Sequence, residues 1–198
     1  MKPRAAPPHS GLPAPAVFEF DAVVKTPFGG IGIRTLAGRV IEAVYLPASI
    51  PQRSARTELA REAVRQIKQY FKDPTSGFDL PLQQRGTAFQ QRVWGVIQAI
   101  PSGSTLSYGA VARRLRSGPR AVGGACGANW FSLIVPCHRV LAANGLGGFG
   151  EGDGGFHLHI QRWLLAHEGV AGYVQPRQTG AGHHAHPDCF DAVHDGMP

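Results

Sequence analysis

The sequence predicts an α+β fold: a small antiparallel sheet carrying one helix, followed by a mainly helical unit of helix-turn-helix character. Three observations point there. Short apolar runs alternate with tight glycine turns as far as residue 46, a helical period opens at Thr57, and capping signals with glycine and proline breaks dominate from Ala88 onward.

Residues 1–16, with Pro3, Pro7, Pro8, Pro13 and Pro15, read as a flexible arm. Residues 17–24 read as a first strand, Thr26-Pro27-Phe28-Gly29-Gly30 as a turn and residues 31–36 as a second strand. Ala37-Gly38-Arg39 turns again into a third strand over 40–46, which makes an antiparallel meander. Over residues 57–71 the period changes: Leu59, Ala63, Ile67, Tyr70 and Phe71 share one face, and Asp73-Pro74 ends the helix. The sheet and this helix form an N-terminal α/β domain over 17–82, and the stretch 78–85 around Pro81 connects it to a second domain over 83–172.

The second domain starts with a helix over 88–100, where Phe89, Val93, Val96, Ile97 and Ile100 recur at helical spacing before Pro101-Ser102-Gly103. Ser107 caps a short helix carrying Val111 and Leu115. Arg116-Ser117-Gly118 makes a turn, and Pro119 suits the first position of the next helix. That helix, residues 120–126, is poor in large side chains. Its Gly123 and Gly124 each cost about 1 kcal/mol relative to alanine, which implies close approach to the backbone, by a neighbouring helix or by DNA. Residues 145–155 read as a mobile glycine-rich loop without a P-loop or dinucleotide fingerprint, and helical periodicity resumes over 158–167. Residues 173–198, with His183, His184, His186 and His194, read as a flexible His-rich tail.

The chain of 198 residues is long enough for a sizeable core, and 43% hydrophobic residues argue against wholesale disorder. Twenty Lys and Arg against 13 Asp and Glu leave a net charge of +7. Such a balance suits a polyanion, nucleic acid foremost, or serves solubility alone. No apolar stretch approaches a membrane span and no signal-peptide core is present, so the expected compartment is the cytoplasm. Cys126, Cys137 and Cys189 show no CxxC spacing, which argues against a disulfide framework and against a cysteine zinc site.

Pro136-Cys137-His138-Arg139 carries the chemistry. A free cysteine is more often a small buried hydrophobe than a nucleophile. With a pKa near 8.5 a thiol needs a base or a positive charge to become reactive. His138 is the candidate base, although in extended backbone adjacent side chains point apart. A turn set by Pro136 or one bridging water would reunite them. Glu168 is the candidate to orient the imidazole, and its place at a helix end is expected to raise its pKa.

Ile134-Val135-Pro136-Cys137-His138-Arg139-Val140 resembles the active-site signature of the O6-alkylguanine-DNA alkyltransferases, also called methylated-DNA–protein-cysteine methyltransferases. Further segments are similar to that family in the same order. They are Thr87-Ala88-Phe89-Gln90-Gln91-Arg92-Val93-Trp94, residues 100–109 around Tyr108, Arg120-Ala121-Val122-Gly123-Gly124-Ala125 and residues 162–169. Thr26-Pro27-Phe28-Gly29 and residues 78–82 match more weakly, so the resemblance covers about residues 17–170. It implies a ribonuclease H-like N-terminal domain and a winged helix-turn-helix-like C-terminal domain. It also implies single-turnover transfer of an alkyl group from O6-alkylguanine, and from O4-alkylthymine, in double-stranded DNA to Cys137. Base flipping and minor-groove binding go with it.

By the same resemblance Cys137, His138, Glu168, Asn129 and Tyr108 are catalytic, with His138 taking the thiol proton through water. Tyr108 rotates the phosphate and protonates guanine N3, and Asn129 holds the turn. Arg120 replaces the flipped base, while Ala121, Gly123, Gln90, Ser107 and Tyr108 face DNA. The carbonyls of Cys137 and Val140 read the guanine amine, and Cys126, Val140 and Tyr108 line the pocket. No metal and no cofactor are expected, the protein is read as monomeric, and it would associate with the nucleoid when on DNA. Trp130-Phe131-Ser132 departs from the family's prolines, leaving the turn before Cys137 open, with Trp130 filling core or facing substrate. Residues 156–159 replace the customary short run before the last helix, and the loop over 144–159 is longer than usual. Rival readings are an alkyltransferase-like protein that binds lesions without transfer, a helix-turn-helix transcription factor and a cysteine hydrolase. The first is opposed by Cys137, the second leaves Pro136-Cys137-His138-Arg139 without purpose, and the third lacks an oxyanion-hole motif.

Overall fold

Where apolar alternation meets the glycine turns, three strands form. In the computed structural model, which describes residues 20–143, 145–147 and 155–173, these are β1 (Ala22–Thr26), β2 (Gly29–Leu36) and β3 (Arg39–Leu46). The expected arm, the centre of the glycine loop and the tail beyond Tyr173 lie outside the described residues. The strands pair antiparallel in the order β1-β2-β3. β1 sits later than the sequence pattern places it, because Lys25, beyond the expected strand, and Thr26, read as turn, pair with Gly30 and Gly29, which were read as turn as well. Ala37 and Gly38, with φ of 48° and 72°, make the two-residue turn between Leu36 and Arg39, a geometry whose twist matches the flanking strands. Gly29 has φ of 136°, and a Cβ there would strike the Leu46 carbonyl oxygen, so only glycine fits.

α1 (Glu58–Lys72) is capped by Thr57, whose hydroxyl accepts the Ala60 N–H at 3.1 Å. Its buried stripe is Ala60, Ala63, Gln66, Ile67 and Tyr70, while Leu59 and Phe71 are half-buried. The polar Gln66 belongs there because its amide makes two bonds to the Asp79 backbone, at 2.9 and 2.8 Å, pinning the connection.

The second half begins with α2 (Ala88–Gln98), held by a reciprocal capping box between Thr87 and Gln90. It ends two residues before the expected Ile100, which is buried all the same. α3 (Tyr108–Arg114) and α4 (Pro119–Gly127) follow, joined by a turn in which Arg116 has φ of 50°. α5 (Phe156–His167) starts at Phe156, because Gly155 with φ of 87° turns the chain directly into it. Phe156, His157, Leu158 and His159 are therefore helical. β4 (Leu106–Ser107) and β5 (Val140–Leu141) form a short parallel pair. Among the described residues no helix is long and apolar enough to cross a membrane.

The halves share one apolar core running from Ile31 and Ile33 through Ile67 and Tyr70 to Val93, Ile97, Val122 and Leu164. An aromatic seam of Phe28, Phe71, Trp163 and His167 reinforces it, with ring centroids 5.0–6.0 Å apart. The outer edge of β3 is covered by the connecting segment and by the strand-like stretch at 130–132 of the second half. Val40 and Ala43 donate to the carbonyls of Pro81 and Trp130, and Gln83 and Ser132 donate back. An edge paired in this way cannot recruit a foreign strand, and it ties the segment leading to Cys137 to the sheet.

Candidate active site around Cys137

Cys137 opens a 3-10 turn, Cys137–Arg139, whose carbonyl accepts the Val140 N–H. The approach to it is fixed without the prolines. Asn129, 8% exposed, donates from Nδ2 to the Val135 carbonyl at 3.0 Å and to Cys137 Sγ at 3.4 Å, and its Oδ1 accepts the Phe131 N–H at 2.9 Å. Pairing of Trp130 and Ser132 with Ala43 does the rest, and Leu133 completes the turn with φ of 72°. Trp130 is half-buried, with the Arg85 guanidinium 4.5 Å from its ring centre.

His138, 1% exposed, places Nε2 at 2.8 Å from Oε1 of Glu168. Arg139 grips the same carboxylate, with Nε 3.0 Å from Oε2 and Nη2 2.9 Å from Oε1, and anchors its Nη1 on the Ile100 carbonyl at 2.6 Å. Tyr70 donates its hydroxyl to Oε1 at 2.7 Å across 98 residues of sequence. Burial pushes the Glu168 carboxyl up, but the hydrogen bonds from His138, Arg139 and Tyr70 hold it down at about 2. This corrects the expectation from the helix end: direct donors, one of them a guanidinium, outweigh the dipole. An ionised Glu168 can only accept, so the proton between the two groups sits on His138 Nε2 and the lone pair on Nδ1. Nδ1 is buried and meets no hydrogen-bond partner among the described residues. Burial lowers the His138 pKa against the pull of Glu168, so the ring rests neutral.

The thiol is held the other way. Contact with the Cys126 thiol and burial push Cys137 well above the ordinary thiol range, and only the Asn129 amide acts against them. No hydrogen bond joins Cys137 Sγ to His138 among the described residues, so the turn at Pro136 does not by itself bring base and thiol together. Tyr108, the first residue of α3, is half-buried beside the thiols. Burial, then Cys126 and Cys137, raise its pKa, which keeps its proton in place. A Cβ at Gly147 would lie 3.3 Å from the Tyr108 ring and one at Gly123 3.9 Å, so the glycine loop and α4 flank it.

On α4, Val122, Ala125 and Cys126 face inward while Arg120, Ala121, Gly124 and Gly127 are exposed. A Cβ on Gly124 or Gly127 would meet nothing within 4 Å, and one on Gly123 only an ordinary contact. No neighbouring helix therefore requires these glycines. Of the other residues assigned to DNA, Ser107 spends its hydroxyl capping α3 at 3.0 Å, and Gln90 spends Oε1 on the Thr87 N–H at 2.8 Å. Val140 is fully buried, and its carbonyl accepts from Gln161 Nε2 at 3.3 Å.

Three residues escape the sequence reading. Arg139 stood inside the motif without a role, Tyr70 passed as one more residue of an apolar stripe, and Gln161 as one polar position in a helix. Gln161, with no exposed surface, also donates to the His138 carbonyl at 3.2 Å, so it braces the turn from both ends. Its place on one helical face with Leu158, Leu164 and Leu165 was the available signal. Clefts of about 270 Å³ beside Arg85 and Trp94 and about 120 Å³ beside Thr105 and Arg114 are not lined by Cys137. No group of three or more His, Cys, Asp and Glu that could hold a metal occurs among the described residues.

Residues 88–170 match the family described as 6-O-methylguanine DNA methyltransferase, DNA binding domain. A Mycolicibacterium paratuberculosis protein named methylated-DNA–protein-cysteine methyltransferase is 41% identical over 152 residues, 70% of this chain and 87% of the relative. A Methanosarcina acetivorans protein of the same name is 43% identical over 115 residues, 57% of this chain and 70% of the relative. The crystal structure of the Mycobacterium tuberculosis O6-methylguanine methyltransferase is similar at a TM-score of 0.60 and 35% identity, covering 74% of this chain and 90% of that one. A structure from the same organism in complex with DNA gives 0.62, with the same identity and coverage.

Proposed function

The chain belongs to the methylated-DNA–protein-cysteine methyltransferase family, and from that premise we propose that Cys137 is the acceptor of the alkyl group from O6-alkylguanine in duplex DNA. The protein repairs DNA by transferring alkyl groups to itself, and DNA is its partner. The observation that supports the assignment best is the buried Glu168–His138 pair, whose neutral imidazole keeps a lone pair beside the turn that carries the thiol.

α4 lays its small exposed face on the minor groove, with Arg120 entering the space left by the flipped nucleotide. The guanine enters a pocket bordered by Tyr108, Cys126 and Val140. The carbonyls of Cys137 and Val140 each accept one hydrogen bond inside the protein, and each keeps a second lone pair for the guanine amine. Sγ attacks the alkyl carbon in line, the carbon–O6 bond breaks, and its electron pair passes into the guanine ring. Tyr108 delivers a proton to N3. The thiol proton moves through one water to His138 Nδ1, and Glu168 stabilises the imidazolium. Solvent then reprotonates Tyr108 and deprotonates His138. Because the resting thiol is held protonated, its ionisation belongs to the transfer step. The resulting thioether has no leaving group that water can displace, so each molecule acts once.

In this reading residues 17–82 brace the site, residues 83–172 bind DNA and carry the chemistry, and the protein works as a cytoplasmic monomer, with O4-alkylthymine as a second substrate. A lesion-binding protein without transfer is disfavoured by Cys137 itself. The test is Cys137→Ser with duplex DNA containing O6-methylguanine. The variant binds the duplex as tightly as the unaltered chain and leaves the lesion in place. Continued loss of the lesion would refute Cys137 as acceptor.

A further inference from the structure

We propose that Tyr70, on α1 of the N-terminal half, is a positioning residue for the transfer: its hydroxyl holds the Glu168 carboxylate against His138 Nε2 and tempers its basicity. The proposal rests on the reading of His138 as the proton acceptor.

The ring of Tyr70 is 1% exposed and packs on Phe71, Phe78 and His167, with centroids 5.5, 5.7 and 5.4 Å away. A phenylalanine would fill that space equally well. The hydroxyl is therefore the informative atom, because a buried hydroxyl is tolerated only where it finds a partner. Its partner is the carboxylate that orients the base, reached from the other half of the molecule.

Oε1 of Glu168 receives donors from three residues: the Tyr70 hydroxyl at 2.7 Å, His138 Nε2 at 2.8 Å and Arg139 through Nη2 at 2.9 Å and Nε at 3.2 Å. Each draws on the same negative charge, so each added donor weakens what the carboxylate offers His138. The charged and titratable groups around this pair come from every packed element. They are Glu168 at the end of α5, His167 beside it with its ring on Tyr70, Arg139 on the same turn as His138, Tyr70 from α1, and Tyr45 from β3, close enough to feel Cys137, Glu168 and Arg139. Cys137 precedes His138 in the turn. The Gly103 N–H reaches Oε2 only at 3.5 Å. Arg139 also carries the link to the Ile100 carbonyl, so its removal disturbs more than the carboxylate. Tyr70 is, among the described residues, a neutral side-chain donor whose removal leaves charge and packing in place.

Taking the hydroxyl away leaves Glu168 a stronger partner for an imidazolium. His138 then holds a proton to higher pH, and the neutral form that accepts the thiol proton becomes scarce sooner as pH falls. Transfer rates of the full chain on a duplex carrying O6-methylguanine, followed against pH, read this directly. Tyr70→Phe moves the acid limb up by roughly half a pH unit and lowers the plateau severalfold. Site-specific 3-fluorotyrosine at position 70, a stronger donor of the same shape, moves the limb down and needs no change of packing. Phe78→Leu loosens the same ring and lowers thermal stability but leaves the limb in place. NMR titration of the His138 ring gives the same order without any transfer. A limb and ring titration unmoved by Tyr70→Phe and by the fluorinated residue overturn the proposal, as does an equal shift in Phe78→Leu. If the unaltered chain transfers nothing while the His138 titration still follows the Tyr70 hydroxyl, the function assigned above fails and the role of Tyr70 stands.

Discussion

Glu168 shows how local donors decide a residue's chemistry. A carboxylate held at about 2 stays ionised throughout the working range, which fixes the His138 tautomer and leaves the lone pair on Nδ1. Glu168→Gln keeps the shape but not the charge, and a buried imidazolium then lacks its counterion. We expect the transfer rate to fall on the order of a hundredfold or more, with duplex binding unchanged, measured by single-turnover kinetics and gel shift. An unchanged rate would remove Glu168 from the mechanism. Asn129→Ala leaves the Val135 carbonyl and the Phe131 N–H without the partner that Asn129 supplies. It should destabilise the fold by about 1–3 kcal/mol in urea unfolding. Cys137, His138 and Glu168 were legible in the sequence because their types, order and flanking motif point to one chemistry. Tyr70 was not, since a tyrosine in an apolar stripe looks like packing until a partner 98 residues away is seen.

Among the elements, α4 tests whether exposed glycines serve DNA contact at a cost in stability. Gly124 is exposed, and nothing in the protein lies where its Cβ would go. Gly124→Ala should therefore stabilise the fold by about 1 kcal/mol, seen as a higher unfolding midpoint, while weakening binding to duplex DNA. Stabilisation without loss of affinity would show that DNA does not approach that face. The helix itself was legible from Pro119 and the preceding turn, but its exposed glycines admitted two explanations until the space around them was known. Boundaries were less legible. α5 begins at Phe156 because of the backbone at Gly155, which periodicity does not report. The segment 130–132 lacks the prolines that would have marked its turn, and the pairing with Ala43 that replaces them is tertiary.

For the molecule as a whole, the buried pair makes stability depend on pH with a definite sign. His138 has a folded pKa below its ordinary 6.5, so below that pH the unfolded chain binds the proton more readily and stability falls. Glu168 contributes fully above its ordinary 4.5, and that contribution is lost as pH drops from there through about 2. Urea unfolding should thus show decline in two stages, the second blunted in Glu168→Gln; a flat profile across both windows would contradict the pair. The meander and the amphipathic helix were legible as separate patterns. Their union with the helical half was not, because the shared core, the aromatic seam and the covered edge of β3 arise from contacts between distant segments.

On the proposed function, one thiol accepts one alkyl group and keeps it. Intact-mass spectrometry of the full chain after incubation with excess duplex containing O6-methylguanine tests this directly. Each molecule should gain the mass of a single methylene, mapped by peptide sequencing to Cys137, with no increase on longer incubation. Repeated turnover without a protein adduct, or an adduct on Cys126 with Cys137 left free, would contradict it.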